Sequence, residues 1–149
     1  MYSVLKTMRK SSLFLVFSIF SFVGFSQNDT TAVNDCELKK NGIYYAQYDK
    51  ETNLYIRFHG GDTAVTTSST NKVSAAAQFI TKRLGEEMLM GKYFTSENNC
   101  NIRIKAKNGT SKVKMDGFIS GDKLALSVIN IMENTARDFV FKFYPTSGK

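Results

Sequence analysis

The feature that most constrains the fold is a series of short strand-forming runs between residues 42 and 144, separated by turn residues. The runs are rich in β-branched and aromatic residues, and several alternate between apolar and polar side chains, as in Leu54-Tyr-Ile-Arg-Phe58. Such alternation is typical of strands with one buried face. We predict eight strands, at residues 42–48, 54–58, 63–68, 91–96, 100–107, 110–119, 123–131 and 137–144.

The connections between these strands indicate how they pair. All but one are short enough to join antiparallel neighbours. Asn108-Gly109 is the strongest hairpin signal, because a type I′ turn needs positive φ at both central residues. The single proline, Pro145, follows the last strand and interrupts none. Eight short antiparallel strands in chain order predict a mainly β fold, an up-and-down meander that curls into a barrel or half-barrel.

The one long connection has a helical period. Apolar side chains recur in it at three- and four-residue steps, at Val73, Ala76, Ala77, Ile80 and Leu84. This spacing predicts one α-helix at about residues 72–84 with a single buried stripe. Thr70 or Asn71 can cap its start, and Gly85 is placed to end it. We expect the helix to plug one end of the barrel or to pack across one face.

Residues 1–26 have the order of features found in secretory signal peptides. The start is cationic, with Lys6, Arg9 and Lys10. The apolar run Leu13–Phe25 and the small residue Ser26 follow. A permanent anchor is the alternative, but 13 residues are fewer than the roughly 20 that a bilayer-spanning helix needs. We therefore predict cleavage near residue 26, no transmembrane span afterwards, and a periplasmic or extracellular protein.

Removal of residues 1–26 leaves 123 residues, the size of one domain. The polar segment 27–41 lacks periodicity and predicts a flexible leader, so the β domain covers residues 42–149. The whole chain has a net charge of +7, and the part after residue 26 has 17 basic and 13 acidic residues, a net charge of +4. This mild excess argues against a dedicated nucleic-acid binder.

Both cysteines, Cys36 and Cys100, lie after the predicted cleavage site. In an oxidising compartment an isolated pair predicts a disulfide, which would pin the N-terminal segment to the domain. A metal site is a poor alternative, because His59 is the only histidine and the sequence has no C-x-x-C pair. We predict no metal and no cofactor.

Several motifs make the chain resemble small secreted bacterial lipocalin-like proteins. They are Gly42-x-Tyr44, the strand Leu54–Phe58 with its Gly-Gly-Asp turn, Ala64–Ser69 before a helix, Gly91-Lys-Tyr93, and Gly117–Leu124 before a Phe-rich strand. The resemblance implies a lipocalin-like barrel over residues 42–144. Larger lipocalins hold small apolar ligands inside the barrel. They often carry a tryptophan near the first strand, and this chain has none, so the resemblance implies no particular ligand.

Aromatic side chains form the first candidate site. They alternate along the predicted strands and so share a face, at Tyr44, Tyr48, Phe58, Tyr93, Phe139, Phe141 and Phe143. They would line a cavity for an apolar ligand, with tyrosine hydroxyls fixing its orientation. Alternatively, the rings simply fill a small core.

A basic hairpin is the second candidate. A two-residue turn at Asn108-Gly109 would place Lys105 opposite Lys112 and Arg103 opposite Lys114. The cationic side chains on one face would then be Arg103, Lys105, Lys107, Lys112 and Lys114. Because opposed like charges are destabilising, this face favours an anionic partner. Alternatively, it is a solvated face that discourages aggregation, with neighbouring acids such as Asp116 or Glu97 relieving the repulsion.

Evidence for catalysis is weak in this sequence. His59 and Asp62 could form an acid–base pair, but the two glycines between them indicate a turn. No G-x-S-x-G, H-E-x-x-H or P-loop motif occurs. We therefore expect a protein that is not an enzyme.

Two noncatalytic functions remain. The first is binding of a small apolar or amphipathic ligand in the bacterial envelope, which predicts an aromatic-lined cavity of at least about 300 Å³. The second is a protein–protein interaction module, an inhibitor or envelope-complex component, that acts through the basic hairpin and has a filled core.

Overall fold

The computed structural model of the protein describes residues 35–80 and 87–146. The predicted signal peptide, residues 27–34 of the predicted leader, and residues 81–84 of the predicted helix lie outside the described residues, as does Gly85.

The described residues form eight strands and one helix in the predicted order. The bounds are β1 Gly42–Gln47, β2 Asn53–His59, β3 Thr63–Ser69, α1 Val73–Phe79, β4 Leu89–Thr95, β5 Asn101–Asn108, β6 Ser111–Ser120, β7 Lys123–Asn130 and β8 Thr135–Pro145. Each strand pairs antiparallel with the next, and β1 pairs with β8, where Tyr44 lies opposite Phe143. The mainly β meander is confirmed, and it is a closed barrel rather than a half-barrel.

Alternation along the strands divides the apolar side chains between the inside and the outside of the barrel. Thirteen buried residues form the interior core, among them Tyr44, Ile56, Phe58, Leu124 and Phe141. A second, smaller cluster lies on the outer surface beneath α1. Closure pairs every described strand on both sides, which removes the usual route to edge-to-edge aggregation.

The β5–β6 hairpin has a different register from the predicted one. Its two-residue loop is Gly109-Thr110, and Asn108 pairs with Ser111 instead of occupying the loop. Gly109 has a φ of 55°, and Thr110 is not among the residues with positive φ. Positive φ at the first loop position alone is the pattern of a type II′ turn, which the glycine permits. The predicted pairs 105–112 and 103–114 are therefore wrong.

Helix α1 packs across the outside of the barrel and does not plug an end. Ala76, Ala77 and Ile80 are buried against the outer cluster, which includes Ile43 and Val65. Ile80 itself is extended, with φ −73° and ψ 99°, so the helix ends before the predicted stripe does. The predicted caps Thr70 and Asn71 are wrong: Lys72 is the N-cap residue, without a side-chain cap hydrogen bond.

Residues 35–41, which we call the strap, cross one end of the barrel. The predicted disulfide between Cys36 and Cys100 is confirmed, with 4.7 Å between the two Cα atoms, and it ties the strap to the β4–β5 turn. The Gly121 amide donates to the Asp35 carbonyl at 2.7 Å, and Leu38 packs against the interior core. We call this end the strap end and the opposite one the open end.

Candidate functional site

The aromatic residues singled out in the sequence fall into two groups inside the barrel. Tyr44, Phe58, Tyr93 and Phe141 are buried in the interior core. Tyr48 and Phe139 lie at the open end, where Tyr48 is 42 % exposed. The seventh ring, Phe143, packs against the core beside Tyr44.

The buried rings pack on one another. Phe58 meets Tyr44 and Tyr93 edge to face, with ring centroids 5.7 Å and 5.0 Å away. The centroid of Tyr44 is in turn 5.1 Å from that of Phe143. These separations are those of favourable aromatic pairs in a packed core. This group therefore acts as core, as in the alternative that the sequence left open.

The tyrosine hydroxyls of this group differ in their contacts. Tyr44 Oη accepts a hydrogen bond from the Lys39 amide at 3.0 Å, and burial raises the pKa of Tyr44 to about 12. Tyr93 Oη is buried without a hydrogen-bond partner of normal geometry among the described residues. Lys40 Nζ lies 5.5 Å from the Tyr93 ring centroid, and its interaction with that hydroxyl is the main cause that raises the pKa of Lys40. The Tyr44 hydroxyl thus holds the strap.

At the open end a cavity of about 200 Å³ remains between the strands, which we call the cup. Tyr48 and Phe139 stack there, with their centroids 6.0 Å apart. The rest of the apolar wall comes from Leu54, Leu89, Val113, Met115 and Val128. The cup is smaller than the volume of about 300 Å³ expected of a cavity that encloses a whole ligand.

Arg137 lines the cup but is not among the site residues predicted from the sequence. It precedes Phe139 by two positions on β8 and therefore faces the same side. Its guanidinium carbon lies 4.9 Å from the Tyr48 ring centroid, a cation–π distance. The alternation of Arg137, Phe139 and Phe141 along one strand contains this information, but the predicted site was restricted to aromatic side chains.

The basic hairpin lies on the outer surface, where β4 adds a further cation. We call the outward side chains of β4–β6 the basic face, whose cations are Lys92, Arg103, Lys105, Lys107, Lys112 and Lys114. Lys105 is opposite both Lys92 and Lys114, and Lys107 is opposite Lys112. Lys92 was not predicted to belong to this face, because the prediction covered only the β5–β6 hairpin and did not include the pairing of β4 with β5.

Asp116 neutralises one part of the basic face. It accepts from Lys114 Nζ at 2.7 Å and from Arg103 Nε at 2.5 Å. Hydrogen bonds from Lys114 and then Arg103 lower the pKa of Asp116 below its ordinary value. Lys105, Lys107 and Lys112 form no ion pair with any described residue. The acid thus relieves one corner of the face and leaves three opposed lysines uncompensated.

His59 and Asp62 flank the β2–β3 turn. Gly61 and Asp62 have positive φ values of 72° and 54°. The turn therefore requires left-handed backbone conformations, which glycine adopts without steric cost. The Asp62 carbonyl accepts a hydrogen bond from the Tyr93 amide at 3.0 Å. The backbone of Asp62 thereby links this turn to β4.

A comparison with protein-family models, curated proteins and solved structures found no match to the chain. Within residues 35–80 and 87–146, no group of three or more potential ligands could hold a metal ion. No helix in the same ranges has the length and apolar character needed to span a membrane.

Proposed function

We propose that the protein is a noncatalytic binding protein for a small apolar or amphipathic molecule, and that the cup is its site. The observation that supports this is the contrast between the two ends of the barrel. The interior rings are packed, and the depression of about 500 Å³ at the strap end is bordered by charged residues such as Glu37, Lys40 and Asp62. At the open end, by contrast, apolar walls and a stacked aromatic pair enclose about 200 Å³.

The chemistry of the cup suggests how such a molecule would lie. A volume of 200 Å³ is below the roughly 300–1,000 Å³ of sites that enclose whole ligands, so the cup takes one end of the molecule. The apolar end would contact Phe139 and Met115, which line the wall. Arg137 lines the cavity together with Glu87 and Glu133, so a polar group at its mouth would meet one cation and two carboxylates. A short amphiphile with an apolar end and a polar head fits this arrangement best.

The proposal includes export to a bacterial envelope or beyond. A disulfide persists in oxidising compartments, and Cys36–Cys100 is one. Residues 1–26 have the composition of a cleaved signal peptide. Together these features favour a periplasmic or extracellular protein in which the lipocalin-like barrel works without its leader.

Titration with a fluorescent apolar sulfonate tests the cup. The disulfide-bonded protein should bind one equivalent of anilinonaphthalene sulfonate. Tyr48→Ala and Arg137→Gln should each weaken binding about tenfold, equivalent to about 1.4 kcal/mol, because each removes one wall of the cup. Tyr144→Ala is the matched control, since Tyr144 is similarly exposed, at 36 %, and lies outside the cup. Equal affinity of all four proteins would contradict the assignment.

An interaction module that captures an anionic partner through the basic face is the second candidate. The observation in its favour is the set of three opposed lysines without ion pairs to any described residue. Opposed like charges cost a fraction of a kcal/mol up to about 1 kcal/mol per pair, and an anionic partner would offset that cost. Charge reversal at Lys105 and Lys112 should abolish capture, whereas the same change at Lys123 and Lys142, opposed on β7 and β8, should not. If the variant with reversed charges at Lys105 and Lys112 still captured the partner, the basic face would not be the binding surface.

A further inference from the structure

Two large apolar side chains project from the strap-end edge of the basic face. Phe94 on β4 is 59 % exposed and Phe118 on β6 is 54 % exposed. Phe94 lies opposite Arg103, and Arg103 lies opposite Asp116, two residues before Phe118 on the same face. The two rings therefore flank the Arg103–Asp116 ion pair.

The surface between these side chains is grooved. A depression of about 580 Å³ runs between Phe94 and Phe118 across Arg103. A second depression, of about 620 Å³, is bordered by Lys92, Lys105 and Lys112, with Met90 and Ile131 among its apolar residues. Apolar surface and ammonium groups thus alternate over one side of the barrel. The interior core uses none of these side chains.

We propose that this side of the barrel docks on an anionic lipid surface, with Phe94 and Phe118 inserted among the headgroups and the lysines on the phosphates. The inference rests on the second candidate function, the basic face as a partner surface, and is independent of the cup. Exposed aromatic groups beside cationic ones are the combination that binds the interfacial zone of an anionic bilayer.

Charge complementarity favours a lipid surface over a second copy of the chain. Two basic faces in contact would oppose six cations with six cations and leave one Asp116 on each side. A bilayer offers both of the groups that the face can use, phosphate oxygens for the lysines and acyl chains for the rings. Acidic side chains of a protein would pair with the lysines, but they would offer no apolar surface to Phe94 and Phe118.

Because the sequence contains no tryptophan, a single introduced tryptophan can report on the membrane contact by its fluorescence. In the disulfide-bonded protein, Phe94→Trp introduces a single indole at the proposed insertion point, and Tyr144→Trp introduces one on β8 as a control. Vesicles of phosphatidylcholine mixed with phosphatidylglycerol should shift the indole emission of the Phe94→Trp protein to shorter wavelength and shield it from iodide. The Tyr144→Trp protein should show neither change, and neither should Phe94→Trp with pure phosphatidylcholine.

Charge variants test the contribution of the lysines. In the Phe94→Trp background, K105Q with K112Q should weaken vesicle binding about 25-fold, since each charge near an anionic surface contributes about a fivefold factor. K50Q with K72Q removes the same charge from the β1–β2 turn and from the residue before α1, both exposed and away from β4–β6, and should leave the affinity within about twofold. Phe118→Ser should weaken binding without changing its salt dependence.

Each other outcome overturns the inference in a distinguishable way. Binding to soluble dextran sulfate without a vesicle-induced emission shift would refute lipid docking and keep the basic face as a partner surface for another anion. Failure to bind either vesicles or dextran sulfate would refute both lipid docking and the basic face as a surface for anionic partners. Equal loss of vesicle binding in the two charge variants would show that net charge, rather than this face, is responsible.

Discussion

At the scale of single residues, Arg57 explains how a seven-residue helix is held on the barrel. It projects outward from β2, and its Nη1 donates to the carbonyl oxygens of Ala77 and Ile80, both at 2.9 Å. These carbonyl groups belong to the C-terminal end of α1, where helix geometry leaves acceptors unsatisfied. In the sequence Arg57 is only the polar member of an alternating strand, so its role as a C-terminal cap could not be predicted.

Replacement of Arg57 by Met keeps the apolar stem and removes both hydrogen bonds. Hydrogen bonds from a charged donor contribute about 1.5–3 kcal/mol. We expect Arg57→Met to lower the free energy of unfolding by about 2 kcal/mol in urea denaturation, and Arg57→Lys to give an intermediate value. An unchanged midpoint in Arg57→Met would contradict this role.

The buried hydroxyl of Tyr44 predicts how the free energy of unfolding depends on pH. Its pKa rises from 10.0 to about 12 because burial disfavours the phenolate. Between those values the unfolded chain loses the proton while the folded protein keeps it, so the free energy of unfolding falls as pH rises from about 10 to 12. Tyr44→Phe should flatten that decline in urea denaturation carried out at several pH values. An equally steep decline in the variant would assign the effect to another group.

At the scale of elements, the strap depends on its disulfide. The 64-residue separation of Cys36 and Cys100 gives a stabilisation of about 4 kcal/mol in the chain-entropy model. Cys36→Ala with Cys100→Ala should lower the free energy of unfolding by roughly that amount. Amide hydrogen exchange should quicken for residues 36–41, while β5–β6 amides remain the better protected in the same variant. Uniform loss of protection would mean that the strap is not a separate element.

The β5–β6 hairpin shows where local sequence stops determining structure. Asn108-Gly109 identified the hairpin, but the positive φ of Gly109 is equally compatible with a loop that begins at the glycine. The observed register keeps every lysine outward and moves Asp116 opposite Arg103, where the two form an ion pair. Pairing across the whole barrel, rather than the turn dipeptide, selects between two registers that bury the same face.

At the scale of the whole molecule, the strand order and the inside–outside pattern could be predicted from alternation. Tyr44, Phe58 and Phe141 were expected on a shared face and lie in one core. Closure could not be predicted, because the pairing of Gly42 with Pro145 joins the two ends of the domain. The cup could not be predicted from the sequence either, because its walls come from strands distant in the chain and its volume depends on how tightly the core packs.

The central claim is that this barrel binds a small molecule, and mass spectrometry of the protein purified from the cells that naturally produce it tests it most directly. The protein would be measured intact under native conditions and again after organic extraction. The account predicts one small molecule per chain that extraction removes, leaving a polypeptide two mass units lighter than its reduced form. The same bare polypeptide mass before and after extraction would contradict the claim.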